Sequence, residues 1–204
     1  MTMKLYHISS SRSVRPLWVL EELGLDYDLE TLDLKFGSSG GENYKKIHPY
    51  NKVPALTDGD MTMYESVAIM QYIMGKYGHG HLSPKTDSLE YGPYLQWLHF
   101  GESSLAPNIV TLMYQLYLFK EEQRSEDIKS HAKREISKYL KMLEDYLGDK
   151  DYILESGFSA ADISVGYSLL LLRLAQAKDL MTPRLDKYWK TITDRPSWEK
   201  ISKL

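Results

Sequence analysis

Apolar residues change their spacing along this chain, and the change divides it into two regions. Lys4 to Ile8 alternates as a strand. Val14, Leu17, Trp18 and Leu20 recur at helical spacing up to Gly24, which predicts a helix closed by a glycine cap. Tyr27 to Leu34 alternates again; a Gly/Ser loop, Phe36 to Gly41, then leads into a short helical stretch, Glu42 to Ile47. Val53 to Thr57 and Met61 to Tyr64 flank Asp58-Gly59-Asp60, a strong hairpin signal. Val67, Ile69, Met70, Ile73 and Met74 mark a helix over Ser66 to Tyr77, closed by Gly78.

The order is therefore β-α-β-α-β-β-α. A crossover through the first helix implies parallel pairing there, and the hairpin implies antiparallel pairing at the other edge. A mixed sheet with helices in this order is a thioredoxin-like α/β arrangement, expected over residues 1–78. Residues 79–87 hold glycine, serine and proline and read as a linker. From 88 to 204 an all-α helical bundle is expected. Its helical runs are Leu89 to Lys120, Glu126 to Leu147, one following Phe158, and shorter pieces after Pro183 and Pro196.

Composition removes several classes of function. At 204 residues, folding can bury roughly 70% of the surface that the unfolded chain exposes, so neither disulfides nor a metal is needed. The net charge is -3 and the basic residues are scattered, which is no footprint for nucleic acid. No apolar run reaches the roughly 18 residues of a membrane span. The first residues enter a strand pattern directly, without a leader, so a cytoplasmic protein is expected. There are no cysteines. Thiolate metal sites and any protein-supplied thiol are excluded, but thiol chemistry on a bound ligand is not.

Pro54 opens a strand, where it cannot donate a ladder hydrogen bond. It reads either as a trans proline at a sheet edge or as a cis Val53-Pro54 bond, which only X-Pro reaches at modest cost. The cis form would turn the Val53 backbone outward, toward an extended peptide ligand. Glu65-Ser66 stands where a strand ends and a helix begins. Ser66 fits an N-cap, and a helix N-terminus favours a carboxylate. Glu65 would pair with an ammonium. Carboxylate and ammonium on one carbon are the amino-acid end of a γ-glutamyl peptide. Lys52 would hold the ligand's other carboxylate or simply face water.

These pieces converge on a resemblance that covers nearly all of the chain. His48-Pro49-Tyr50-Asn51-Lys52-Val53-Pro54-Ala55-Leu56, Tyr64-Glu65-Ser66-Val67-Ala68-Ile69, Phe158-Ser159-Ala160-Ala161-Asp162-Ile163 and Arg195-Pro196-Ser197-Trp198 resemble, in order and spacing, a cytosolic-type glutathione transferase. Asn51 stands where such proteins often carry glycine, and Asn tolerates a left-handed backbone. Ser159 with Asp162 forms a near capping box, which makes Asp162 structural rather than catalytic.

The resemblance implies that a hydroxyl between the first strand and first helix faces the glutathione sulfur. Ser9-Ser10-Ser11-Arg12-Ser13 occupies that place. Ser10 matches the catalytic position of serine-type transferases. A bacterial and fungal subgroup with a Ser-Arg-x-x-Arg pattern looks closest and makes Ser11 an equal candidate, with Tyr6 third. Ser13 adjoins the first helical turn and reads as its cap. Arg12 and Arg15 would add positive charge near the ligand, or serve as solvated or interface residues. His99, Glu102, Met113 and Tyr114 are the candidates for an electrophile pocket in the helical domain.

The expected function is conjugation of the glutathione thiolate to small apolar electrophiles, with glutathione as co-substrate and no metal. A homodimer is implied by the resemblance. A glutathione-dependent peroxidase and a non-catalytic glutathione-binding scaffold are the alternatives. The maleylacetoacetate isomerase type resembles Ser10-Ser11 but expects a cysteine where Arg12 stands.

Overall fold

The computed structural model describes residues 3–33 and 41–204. Contacts group the chain into two compact units, Met1–Ser83 with Arg195–Leu204, and Pro84–Asp194. The second strand, expected up to Leu34, ends at Thr31; Leu34 and the Gly/Ser loop from Phe36 to residue 40 lie outside the described residues.

The first unit runs β1 (Met3–His7), α1 (Val14–Leu23), β2 (Tyr27–Thr31), α2 (Gly41–Lys45), β3 (Ala55–Asp58), β4 (Met61–Tyr64) and α3 (Ser66–Tyr77). Its sheet has the order β2-β1-β3-β4. β1 and β2 pair in parallel, while β1–β3 and β3–β4 are antiparallel, as the crossover and hairpin patterns require. Leu5 and Leu56 face each other across β1 and β3 and are fully buried. α1 and α3 pack against each other, burying Leu17, Trp18, Val19 and Leu20 of α1 and Ile69, Met70 and Ile73 of α3. Gly24 ends α1 at φ 60°, and its N–H returns to the Glu21 carbonyl. A left-handed residue at this position is what closes the helix.

Residues 195–204, which the sequence pattern placed in the helical domain, complete this first unit instead. Their helix, α9 (Pro196–Ile201), lies against α1. The rings of Trp18 and Trp198 are 4.6 Å apart, and the Trp18 indole N–H donates to Ser197 Oγ at 3.2 Å. Arg195 grips both Glu22 carboxylate oxygens at 2.7 Å. Burial pushes the Glu22 carboxyl up, but Arg195, Ser197 and Trp18 together hold it below its ordinary value. A buried indole needs a partner for its N–H, and this segment supplies one.

The second unit contains α4 (Tyr91–Phe100), α5 (Ala106–Met113), α6 (Glu126–Leu147), α7 (Ala160–Leu174) and α8 (Pro183–Thr193). The helical run expected from Leu89 is nearly unbroken from Tyr91 to Leu118, with π-helical turns at Gly101–Leu105 and Tyr114–Leu118. α7 is the buried centre. Gly101 approaches it so closely that a Cβ there would lie 2.5 Å from the Ser164 carbonyl oxygen, and Ser168 Oγ donates to the Gly101 carbonyl at 2.7 Å.

Asp162 is structural, as its spacing from Ser159 indicates. Its carboxylate accepts from Ile153 N at 2.8 Å, Ser159 N at 2.9 Å, Ser159 Oγ at 3.1 Å and the Tyr188 hydroxyl at 2.9 Å. Burial pushes its carboxyl up, against the opposing pull of these donors. Among the described residues no helix is long and apolar enough to cross a membrane.

Candidate active site

One row of the sheet organises the site. Tyr6 of β1 pairs with Ala55 of β3, and Ala55 pairs with Tyr64 of β4. The chain beyond β1, the segment before β3 and the segment after β4 therefore all leave the sheet at the same edge. They carry Ser10 to Arg15, Lys52 to Pro54 and Glu65-Ser66.

The Val53-Pro54 bond is cis, the second of the two alternatives for this proline. Asn51 precedes it at φ 54°, and its N–H donates to the His48 carbonyl at 2.8 Å. Asn and Gly are the residues that take this backbone readily. The loop is fastened from below. Tyr44 donates its hydroxyl to the Lys52 carbonyl at 2.8 Å, and its ring packs 5.3 Å from Tyr6. Burial pushes the Tyr44 phenol well above its ordinary value, so it remains a donor. The His48 ring packs at a tilt against Tyr64, with the centroids 4.3 Å apart. The Lys52 side chain is exposed.

At α3 the structure shifts the expected cap by one residue. Glu65, not Ser66, holds the N-cap position, at φ 73° and ψ 108°; Ser66 is the first helical residue. The first N–H to close a helical turn is that of Ile69, onto the Glu65 carbonyl at 2.9 Å. The amides of Ser66 to Ala68 thus lack an intrahelical acceptor and form an anion-accepting end. Glu65 is exposed and Ser66 buried. Arg15, which the sequence left between several roles, is fully buried within α1, and its Nη1 donates to Ser66 Oγ at 3.5 Å. A signal for it was present: Arg15 sits in the middle of an otherwise apolar helix start.

In the hydroxyl loop, Ser11 N–H closes a turn onto the Ile8 carbonyl at 3.2 Å, with Ser10 exposed at φ 61°. Ser11 and Arg12 are half-buried. Ser13 does not cap α1 through its side chain. Its hydroxyl turns back toward β1, 2.8 Å from His7 Nδ1 and 2.7 Å from Ser11 Oγ, and it receives the Ile8 N–H at 3.2 Å. The buried backbone of Ile8 draws it there. His7 was not among the sequence candidates, because a lone histidine in a strand carries no motif. It is 1% exposed, and burial lowers its pKa to about 4, so it is neutral near pH 7. Tyr6 packs in the core with Tyr44 and Ala55.

The four remaining candidates lie in the second unit along one helical path. His99 is exposed near the end of α4, and Glu102 is half-buried in the first π-helical turn. Met113 is half-buried at the end of α5. Tyr114 is exposed, with its ring 5.2 Å from Phe119. No group of three or more His, Asp or Glu suited to a metal occurs among the described residues.

Comparison with known proteins bears on this geometry. Residues 1–75 match the family model for the glutathione S-transferase N-terminal domain, and residues 109–200 match that for the C-terminal domain. Glutathione S-transferase 3 of Zea mays is 30% identical over 97% of this chain and 92% of its own length. Glutathione S-transferase 3 of Schizosaccharomyces pombe is 27% identical, over 95% and 84%. A glutathione transferase of Phanerochaete chrysosporium, solved with oxidized glutathione, superposes with a TM-score of 0.81 at 27% identity, covering 99% of this chain and 95% of that one. A thioredoxin-like unit with a cis-proline loop, joined to a helical unit, and relatives matched over nearly their whole length lead to one assignment: this chain belongs to the glutathione S-transferase family and is a transferase that uses glutathione as its co-substrate.

Proposed function

We propose that glutathione lies along the Tyr6–Ala55–Tyr64 edge and that its thiolate, prepared by Ser11, is conjugated to small apolar electrophiles. The carrying observation is that three segments of complementary chemistry leave the sheet at that edge. The Val53 backbone, set outward by the cis bond, pairs with the peptide. The glutamyl carboxylate meets Ser66 and the free amides of α3, over the buried Arg15 guanidinium. Glu65 faces the glutamyl ammonium, and Lys52 and Arg12 favour the ligand's anionic groups.

A glutathione thiol has a pKa of about 8.5, so lowering it by about two units needs roughly 2.7 kcal/mol of preference for the anion. One hydrogen bond to a charged group supplies about 1.5–3 kcal/mol. Ser11 fits this role better than Ser10. Its hydroxyl is half-buried and tied into the loop, whereas Ser10 is exposed and occupies the left-handed corner of the turn. The resemblance to the Ser-Arg-x-x-Arg subgroup supports the same reading. His99, Glu102, Met113 and Tyr114 line the electrophile side in this reading, and a cytoplasmic homodimer belongs to it on the family resemblance.

Ultraviolet titration of bound glutathione tests the proposal. A thiol pKa lowered on binding is expected, with Ser11→Ala returning it most of the way. An unshifted pKa in the wild-type complex would overturn it.

A further inference from the structure

The hydroxyl loop contains more order than a single donor requires. A hydroxyl has one proton to give and two acceptor sites. Ser13 Oγ receives the Ile8 N–H at 3.2 Å, and Ser11 Oγ receives the Ser13 N–H at 3.3 Å. Each oxygen then has one acceptor site and one proton left. The two oxygens are 2.7 Å apart, and among the described residues the only other side-chain atom at hydrogen-bond distance from Ser13 Oγ is His7 Nδ1, at 2.8 Å.

The tautomer of His7 decides how these protons run. With the proton on Nδ1, His7 fills the last acceptor site of Ser13. Ser13 then gives its own proton to Ser11, which is nearer at 2.7 Å than the Ile8 carbonyl at 3.3 Å. That fills Ser11 in turn, and the Ser11 proton must point out of the loop. With the proton on Nε2, every arrow reverses: Nδ1 takes the Ser13 proton, Ser11 donates inward, and no proton faces a ligand.

The surroundings of His7 choose between them. Its Nε2 is buried and has no hydrogen-bond partner among the described residues. An orphaned buried N–H is rarer than an under-satisfied acceptor, so the proton belongs on Nδ1. Burial also keeps the ring neutral, with a pKa of about 4, so the ring has a single proton to place.

We propose that His7 and Ser13 are positioning residues, with His7 as a fixed Nδ1–H donor whose hydrogen bond, relayed by Ser13, aims the Ser11 proton at the bound thiolate. Neither residue touches the ligand. The proposal rests on Ser11 as the thiolate donor, and it explains how an ordinary serine hydroxyl is held in the donating orientation before glutathione arrives. Such preorganisation is what lets a donor stabilise an anion without reorganising at the moment of need.

Nitrogen NMR of the imidazole groups in the full-length protein with glutathione bound reads the tautomer of His7 directly. Nδ1–H is expected, and Nε2–H would overturn the proposal without any variant being made. The bound thiol pKa is then compared across Ser11→Ala, Ser13→Ala and the double variant. Each single change should raise it by about one to two units, a roughly tenfold to hundredfold loss of thiolate preference. The double variant should add nothing further, because both remove the same donor. Ser13→Thr keeps a hydroxyl and should restore most of the shift, which separates the relay from a packing effect. If Ser11→Ala raises the pKa while Ser13→Ala does not, or if the two effects add, the relay is wrong and the Ser11 reading stands. If Ser11→Ala leaves the pKa unchanged, the reading of Ser11 fails, and the relay fails with it.

Discussion

Arg15 Nη1 lies 3.5 Å from Ser66 Oγ, which sets a buried guanidinium beneath the first turn of α3. In the proposed reading, the cation and the helix end act on the same ligand group from two sides. Ser66→Ala should weaken glutathione binding about tenfold or more, as expected for losing a hydrogen bond to a charged group of about 1.5–3 kcal/mol. Calorimetric titration measures this. Turnover at saturating glutathione should change little, because the proposed reading sets Ser66 at the carboxylate and not at the sulfur.

Activation of the sulfur should show the opposite pattern. Ser11→Ala is expected to lower kcat about tenfold to a hundredfold, with glutathione affinity nearly intact. Ser10→Gly should be close to neutral, since the residue sits at φ 61° and glycine adopts that backbone freely. Steady-state kinetics with a fixed electrophile separates the two serines. A loss of turnover in the Ser10 variant alone would reverse the assignment.

His7 gives the stability of the fold a pH dependence of known sign. Its folded pKa, about 4, lies below the ordinary value of 6.5. Above about pH 6.5 the ring is neutral in both folded and unfolded chains and contributes no slope. As pH falls from about 6.5 to about 4, the unfolded chain takes up the proton first, so stability declines over that window. Urea unfolding at a series of pH values should show this decline, and His7→Gln should lack its share of it.

Asp162 predicts a loss of stability without a specific loss of catalysis. Asp162→Ala strands the Ile153 and Ser159 amides in the interior, each at about 1–3 kcal/mol. A drop of about 2–5 kcal/mol in unfolding free energy is expected from denaturant titration. Glutathione affinity of the protein that remains folded should be unchanged.

Gly101→Ala tests the close approach of the first π-helical turn to α7. The added methyl would meet the Ser164 carbonyl at 2.5 Å. Backbone cannot step aside as a flexible side chain does, so overpacking of about 1–3 kcal/mol is expected. A lowered Tm by calorimetry checks it, and an unchanged Tm would show that the helices separate without cost.

Features that depend on neighbours in sequence were legible. The hairpin around Gly59, the glycine cap at Gly24 and the capping box of Ser159 with Asp162 all follow from local chemistry. The cis-proline loop was legible as one of two alternatives, because its neighbours along the chain matched a ligand-binding context. Most of what escaped depends on partners in other elements of the fold. Ser13 resembles a helix cap until His7 and the Ile8 backbone compete for its hydroxyl. Arg15 resembles a surface arginine until α3 closes over it. The shift of the N-cap from Ser66 to Glu65 is a one-residue boundary, which side-chain pattern does not resolve. The last helix was assigned to the wrong unit because its amphipathic pattern says that one face is buried, but not which helix covers it.

That last helix also sets an order of events during synthesis. The Trp18–Trp198 and Glu22–Arg195 contacts join residues some 170 to 180 positions apart, and such long-range pairs close late in folding. The N-terminal unit emerges first from the ribosome, yet Trp18 keeps an uncovered indole until the helical unit has been made and residues 195–201 follow it out. Co-translational folding of the first unit is thus completed only when residues 195–201 reach it.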